Sequence, residues 1–229
     1  LGRLYLEEAR RSGEYPVRAL SSLEKAWENR EHFYYASETF AFTIDYMEAL
    51  YLAYNQDRYT GTSGNQNRHL TKIDEAAQAC MSVTDHPDCQ LHRARAGYYL
   101  MEFYSSQSSA DERAMYDRYR SMTGDLLKKL EETLYGYSEY GARFQEYQAG
   151  KTPHPESSFE PAEYHTVAAL YYARVLSDLP SADAVKQKEK QALMQVIQHH
   201  YQKALQEGST NHDLRGLKSF LEGADAMLN

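Results

Sequence analysis

The chain has 229 residues, of which 25 % are charged, with a formal net charge of −8 and a mean hydropathy of −0.75. A chain of this length can bury one large core or two small ones, and the composition is typical of a soluble, charge-rich helical protein. The acidic charge argues against general nucleic-acid binding, because it repels phosphate backbones, and no apolar run approaches the roughly 20 residues of a transmembrane helix.

Long intervals between the few prolines and glycines show apolar residues at helical spacing. Residues 3–12 form a short amphipathic helix, residues 13–16 break it, and a second helix begins at Val17. No alternating run indicates a strand. The further helices are expected at about 33–54, 70–83, 88–105, 111–134, 138–148, 161–178, 183–207 and 212–228.

The segment 33–54 is apolar over most of its circumference, since only Glu38, Asp45 and Glu48 mark a narrow polar strip. A helix of this kind packs against neighbours on several sides. We therefore expect it to be a central helix. Farther along, Gly124 is a weak point in the helix predicted at 111–134.

Two segments lack helical periodicity. Residues 56–69, which carry Arg58 and Tyr59, are predicted to be a loop long enough to be a site in its own right. Residues 150–161 contain three prolines and are predicted to be a linker.

The linker bears on the domain organisation. We expect a single all-helical domain over residues 1–229, and a subdivision into 1–149 and 162–229 is the alternative.

Tyrosine is unusually frequent, with 21 residues, and six of these form three adjacent pairs inside apolar helical segments. A tyrosine ring packs helices together, while its hydroxyl can hold a ligand. Adjacent helical residues point about 100° apart, so one ring of each pair can enter the core while the other reaches a groove. The alternative is that all six rings pack helices. The candidate ligand-binding residues are Tyr34, Tyr35, Tyr98, Tyr99, Tyr171 and Tyr172.

Small and large residues also alternate at a spacing that resembles the tetratricopeptide repeat over about a third of the chain. The residues that carry this resemblance are Ala19, Leu23 and Ala26, then Leu91, Ala94, Gly97 and Tyr98, and finally Tyr201 to Leu205. The resemblance implies stacked antiparallel helical hairpins in one solenoid-like all-α domain. It also implies a protein or peptide partner bound on a concave face.

Cys80, His86, Cys89 and His92 have the chemistry of a zinc site, but the short paired ligand spacing of such sites is missing. Unlinked structural cysteines are the preferred interpretation, and a Cys80–Cys89 disulfide is the alternative in an oxidising compartment.

Histidines within helical runs are more often packed or exposed than catalytic. This applies to His165, His199 and His200.

No motif of a nucleotide-binding, hydrolase, metalloprotease or di-iron site occurs. We therefore expect a non-enzymatic module that binds a protein, peptide or glycan on a tyrosine-lined concave surface, with no catalytic residue, metal or cofactor. The charge favours a basic or neutral ligand. The compartment stays open, with a slight preference for the cytoplasm.

Two alternatives belong to other classes. One is an all-α enzyme or binding protein that acts on a carbohydrate or another polar small molecule, for which a pocket must bring acids together. The other is a structural assembly fragment of a longer chain. The candidate acids for the enzyme are Glu38, Asp45, Glu48, Glu102 and Glu163.

Overall fold

Helices account for nearly all of the chain that the structure describes. The structure is a computed structural model, and it describes residues 1–33, 36–61, 65–135, 161–180 and 184–228. Within these ranges the chain forms nine α-helices, a 3-10 helix at Arg30–His32 and no strand, so the all-α prediction is confirmed. The α-helices are α1 (Gly2–Ser12), α2 (Val17–Glu28), α3 (Ala36–Thr60), α4 (Gln66–Val83), α5 (Pro87–Ser105), α6 (Ala110–Tyr135), α7 (Pro161–Ser177), α8 (Ala184–Gln206) and α9 (Asp213–Leu228).

The prediction that residues 56–69 form a loop is wrong in its extent, because α3 continues to Thr60 and α4 begins at Gln66. The polar residues of the last turn of α3 are held by tertiary contacts that periodicity cannot show. Asp57 is buried and accepts from the His69 ring of α4, at 3.1 Å from Nε2. Gly61, with φ of 75°, then ends the helix in the left-handed region. The short helix predicted at 138–148 lies outside the described residues.

Local side-chain signals set several helix ends. Ser109 and Glu112 form a capping box at α6: the Glu112 carboxylate accepts from the Ser109 N–H at 3.1 Å, and the Ser109 hydroxyl accepts from the Glu112 N–H at 3.2 Å. At the start of α9, the Asn211 side-chain oxygen accepts from the Asp213 N–H at 2.9 Å. These ends follow from sequence alone, because each cap is made within three residues.

The chain separates into two compact units, Leu1–Met122 and Thr123–Asn229, and the boundary lies within α6. The subdivision around 150–161 stays a prediction, since all but the last residue of that segment lie outside the described part.

The first unit is a stack of antiparallel helical hairpins, as predicted. Each of α1 to α4 packs against the next one, so that the five helices α1 to α5 follow one another in the stack. The helix α3 also contacts α1 and α5, which confirms its central position. The most enclosed helix is α5, whose residues 87–92 are all buried.

In the second unit, α7 packs along α8, and α9 contacts both. The predicted weak point at Gly124 is the place where α6 approaches α7 most closely. A Cβ atom added at Gly124 would lie 2.5 Å from the Tyr171 hydroxyl oxygen and 3.2 Å from the ring carbon that carries it. The missing side chain of Gly124 therefore makes room for the Tyr171 ring.

We expect Gly124→Ala to destabilise the protein by about 1–3 kcal/mol, because overpacking against a buried ring outweighs the gain of about 1 kcal/mol in helix propensity. Chemical denaturation measures this loss. Tyr171→Phe in the same chain should restore part of it, because the closest atom is the hydroxyl oxygen.

The matched control is Gly216→Ala in α9, where an added Cβ has nothing within 4 Å. This variant should be neutral or slightly more stable. Equal effects of the two substitutions would show that Tyr171 does not restrict position 124.

Candidate functional site

The tyrosine pair of α5 lies in the core of the first unit. Tyr98 is 8 % exposed and Tyr99 is 5 % exposed. The Tyr99 ring packs against Tyr54 of α3, with centroids 5.2 Å apart, and its hydroxyl accepts from the Tyr51 hydroxyl at 3.3 Å. These rings join α3 to α5, and little of their surface is left for a ligand.

The pair of α7 is placed in a similar way in the second unit. Tyr171 is 8 % exposed and packs at Gly124, while Tyr172 is half-buried and its ring stacks on His200 at 5.9 Å. Burial raises the pKa of the Tyr172 hydroxyl. The third pair, Tyr34 and Tyr35, lies outside the described residues.

Ion pairs hold two of the candidate acids on α3. Asp45 lies 3.3 Å from the Arg3 guanidinium of α1, although burial raises the pKa of its carboxyl. Glu48 accepts from Arg95 of α5 at 3.0 Å and from Arg10 of α1 at 3.2 Å.

The charges around Glu48 fix its ionised state. Burial alone would raise the pKa of Glu48, but the charge of Arg95, the hydrogen bond that Arg95 donates and the charge of Arg10 lower it to about 2. His92 is neutral, because burial and the Arg95 charge lower its pKa to about 4. Its Nδ1 accepts from Arg95 at 2.9 Å, and its Nε2 lies 3.4 Å from the Glu48 carboxylate. A carboxylate held ionised in this way is a structural anchor rather than a general acid.

The other candidate acids lie elsewhere. Glu38 is exposed on the first turn of α3, and Glu102 is half-buried on α5. Glu163 is half-buried on the first turn of α7, in the second unit.

The cysteines and histidines near the α4–α5 turn make separate contacts. Cys80 and Cys89 form a disulfide, with Cα atoms 5.9 Å apart, so the preferred interpretation as unlinked cysteines is wrong. The helix-to-helix turn brings the two residues together, which sequence spacing alone does not show. His86 instead caps α5, since its Nδ1 accepts from the Asp88 N–H at 3.3 Å. Among the described residues, no group of three or more His, Cys, Asp or Glu side chains could hold a metal ion.

The residues Arg58 and Tyr59 lie on the last turn of α3. The Arg58 guanidinium lies over the Tyr99 ring, 5.5 Å from its centroid, and Tyr59 is exposed. Beside them, the His69 ring also contacts the Tyr15 hydroxyl at 3.1 Å. These contacts tie the α1–α2 turn to α3 and α4.

Two histidines are buried against each other in the second unit. The Nδ1 atoms of His165 on α7 and His200 on α8 are 2.9 Å apart, so one neutral ring donates to the other. Burial lowers both pKa values, to about 3 for His165 and about 4 for His200. The exposed neighbour His199 also contributes to the lowering of both pKa values. The pair is part of the core, as the sequence favoured.

The first unit contains a cleft of about 840 Å³, which we call the α2–α4 cleft. It is bounded by the last turn of α2, the 3-10 helix, the first two turns of α3, the last turn of α4 and residues Thr84 and His86. Its volume is in the range of small-molecule and peptide side-chain pockets.

Aromatic and small residues shape the α2–α4 cleft. The Trp27 and Phe40 rings and Cys80 are part of its lining. The Phe40 ring is held by His86, with ring centroids 4.6 Å apart. Val83, which lines the cleft at the end of α4, is 67 % exposed.

The disulfide fixes one side of this cleft. It joins the last turn of α4 to the first turn of α5, so the intervening residues, including Thr84 and His86, are closed into a loop. Closing a loop of this size is worth about 2.5 kcal/mol in the chain-entropy account.

Sequence reasoning did not find the cleft. Its residues come from the ends of three helices, and Trp27 and Phe40 appear in the sequence only as members of apolar helix faces. One signal in the sequence could have indicated the cleft. Hydroxyl and small residues cluster at the end of α4, so this end has fewer large apolar residues than the rest of the helix.

The chain has no match to any protein-family model, to any of the curated proteins or to any solved structure. Within the described residues, no helix is long and apolar enough to cross a membrane. Fold and site together define an all-α hairpin protein with an open, mostly apolar cleft.

Proposed function

We propose that the chain is a non-enzymatic helical module of the tetratricopeptide-like kind that binds a protein or peptide segment, and that the α2–α4 cleft is its binding site. The observation that carries the proposal is the cleft itself, with a volume of about 840 Å³ and a lining that includes Trp27 and Phe40. Tryptophan and arginine are enriched among the residues that dominate binding energy at protein interfaces, and Trp27 lies beside Arg30 here.

Two of the five hydroxyl groups that line the cleft are bonded to their own helices, which favours an apolar occupant over a carbohydrate at these two positions. The Thr43 hydroxyl donates to the Thr39 carbonyl at 2.6 Å, and the Ser82 hydroxyl donates to the Ala79 carbonyl at 2.7 Å. Their protons are therefore used by their own helices, and a sugar would find few donors there. An apolar side chain loses nothing in the same place, because it needs no hydrogen bond.

The tyrosine-lined surface stays a prediction for Tyr34 and Tyr35, which lie beside the first turn of α3 in the sequence. For the pairs of α5 and α7, burial supports a packing role. We therefore place the binding surface at the cleft.

The test is a selection of random peptides on the purified protein, followed by fluorescence anisotropy of the enriched peptides. The variant Ser82→Trp fills the cleft from an exposed lining position without touching the core. We expect it to weaken binding by at least about tenfold, since a filled pocket excludes an anchoring side chain.

The matched control is Ser21→Trp, which places the same large ring on an exposed site of α2 outside the cleft. It should bind the peptides as the parent protein does. Absence of enriched peptides, or equal binding by both variants, would contradict the proposal.

A further inference from the structure

We propose that the α2–α4 cleft selects a segment in which an aromatic or long aliphatic side chain is flanked by lysine or arginine residues. This inference rests on the proposed function and adds the chemistry of the partner. Three features support it: the apolar interior, the position of the cleft charges and the charge of the chain.

The interior accommodates an apolar anchor. Thr43 lines the cleft, and its hydroxyl is bonded to its own helix, so that it presents no free donor to an occupant. Cys80 contributes a disulfide sulfur, which is a weak hydrogen-bond acceptor. Between the Trp27 and Phe40 rings, these surfaces offer dispersion contacts and few polar partners.

The basic side chains at the cleft are engaged within the protein. The Arg30 guanidinium lies over the Trp27 ring, 4.3 Å from its centroid, and donates to the Trp27 carbonyl at 3.0 Å. Its charge therefore lies at the carboxyl end of α2, where the helix dipole is negative. His86 is held by Phe40 and by the start of α5.

The acidic side chain at the cleft is available. Glu31 is exposed at the rim, and no ion pair of its carboxylate occurs in the part of the chain that the structure describes. The net charge of −8 adds a long-range attraction for a basic segment. A cation beside the anchor would thus meet Glu31, whereas a carboxylate there would meet a like charge.

The experiment uses three fluorescein-labelled synthetic peptides and the full chain. The first peptide has a tryptophan between two pairs of lysines, the second has glutamates in place of the lysines, and the third has alanine in place of the tryptophan. By anisotropy at moderate ionic strength, we expect the first to bind about tenfold or more tightly than either of the others.

Charge-reversal variants test whether Glu31 causes the preference for the lysine peptide. Glu31→Lys should weaken binding of the first peptide by several-fold, while Glu14→Lys, which reverses an exposed charge outside the cleft, should change it little. Equal weakening by both variants would show a long-range charge effect only and would overturn the role of Glu31.

The outcomes separate the two levels of the proposal. If the glutamate peptide binds as tightly as the lysine peptide, and Ser82→Trp abolishes both, the cleft stands and the basic preference is wrong. If the alanine peptide binds as tightly as the tryptophan peptide, the proposed role of an apolar anchor side chain is wrong. If neither tryptophan peptide binds, and selection yields no others, the proposed function itself fails.

Discussion

Replacing Glu48 with Gln is expected to lower the free energy of unfolding by about 3 kcal/mol, because it leaves a buried cation without its counter-charge. Arg95 is 6 % exposed, its guanidinium lies 3.6 Å from the centroid of the Tyr51 ring, and it donates to the Glu48 carboxylate at 3.0 Å. Glutamine has nearly the same shape and keeps one acceptor oxygen, so the loss reports the charge. In urea denaturation the midpoint should fall while the slope stays the same.

The pH dependence of the free energy of unfolding gives an independent test of the Glu48 ion pair. The pKa of Glu48 is lowered from 4.5 to about 2, so the unfolded chain binds this proton at a higher pH than the folded chain does. The stabilisation is therefore complete above about 4.5 and is lost as the pH falls towards 2. Glu48→Gln should remove this part of the acid dependence.

The matched control is Glu38→Gln, the same substitution on an exposed site of α3. Its effect should be within about 0.5 kcal/mol, as for other surface changes. If Glu48→Gln proved as mild as this control, the network that joins α1, α3 and α5 would not contribute to stability.

The second large effect is expected from the His165–His200 pair on acidification. Both pKa values lie below the ordinary 6.5, so between 6.5 and about 4 the unfolded chain binds protons that the folded chain does not. Stability therefore falls as the pH falls through this window, by about 1.4 kcal/mol per pH unit for each histidine. The two losses are coupled, because the rings share one hydrogen bond.

The measurement is the free energy of unfolding at a series of pH values in this window, for the parent chain and for His200→Phe. The phenyl ring can still stack on Tyr172 but does not titrate. We expect the slope to decrease whatever the absolute stability of the variant, because one titrating group is removed and His165 loses a neighbour that lowers its pKa. The slope is the readout because a cavity or strain would change the free energy of unfolding by the same amount at every pH.

For comparison, His212→Gln removes an exposed histidine near the start of α9. This control should leave the slope unchanged. An unchanged slope in His200→Phe as well would mean that the buried pair does not titrate in this range, and that other groups, such as His92, determine the acid sensitivity.

Several elements could be predicted because their signals are local. The capping residues Ser109 and Asn211 and the left-handed Gly13 act within a few residues, so the sequence contains the whole interaction. The central position of α3 also followed from its composition, since a helix that is apolar on most sides has to be covered on most sides.

Other features depend on residues far apart in the chain. Nothing near Glu48 in sequence indicates that Arg10 and Arg95 neutralise it, so the same glutamate served equally well as a catalytic candidate. The end of α3 was misplaced for a related reason. Its polar residues do not show apolar periodicity, and the Asp57–His69 contact that holds them joins two helices.

The tyrosine pairs show most clearly which features follow from the sequence and which depend on the tertiary structure. The sequence by itself determined that they lie in apolar helices and that the chain is all-α, because helix formation and amphipathicity are properties of neighbouring residues. Only the tertiary structure decided that Tyr98, Tyr99 and Tyr171 are buried between helices, and that the ends of α2, α3 and α4 meet at the α2–α4 cleft. Burial and clefts arise from how helix ends meet in space, which no short sequence pattern specifies.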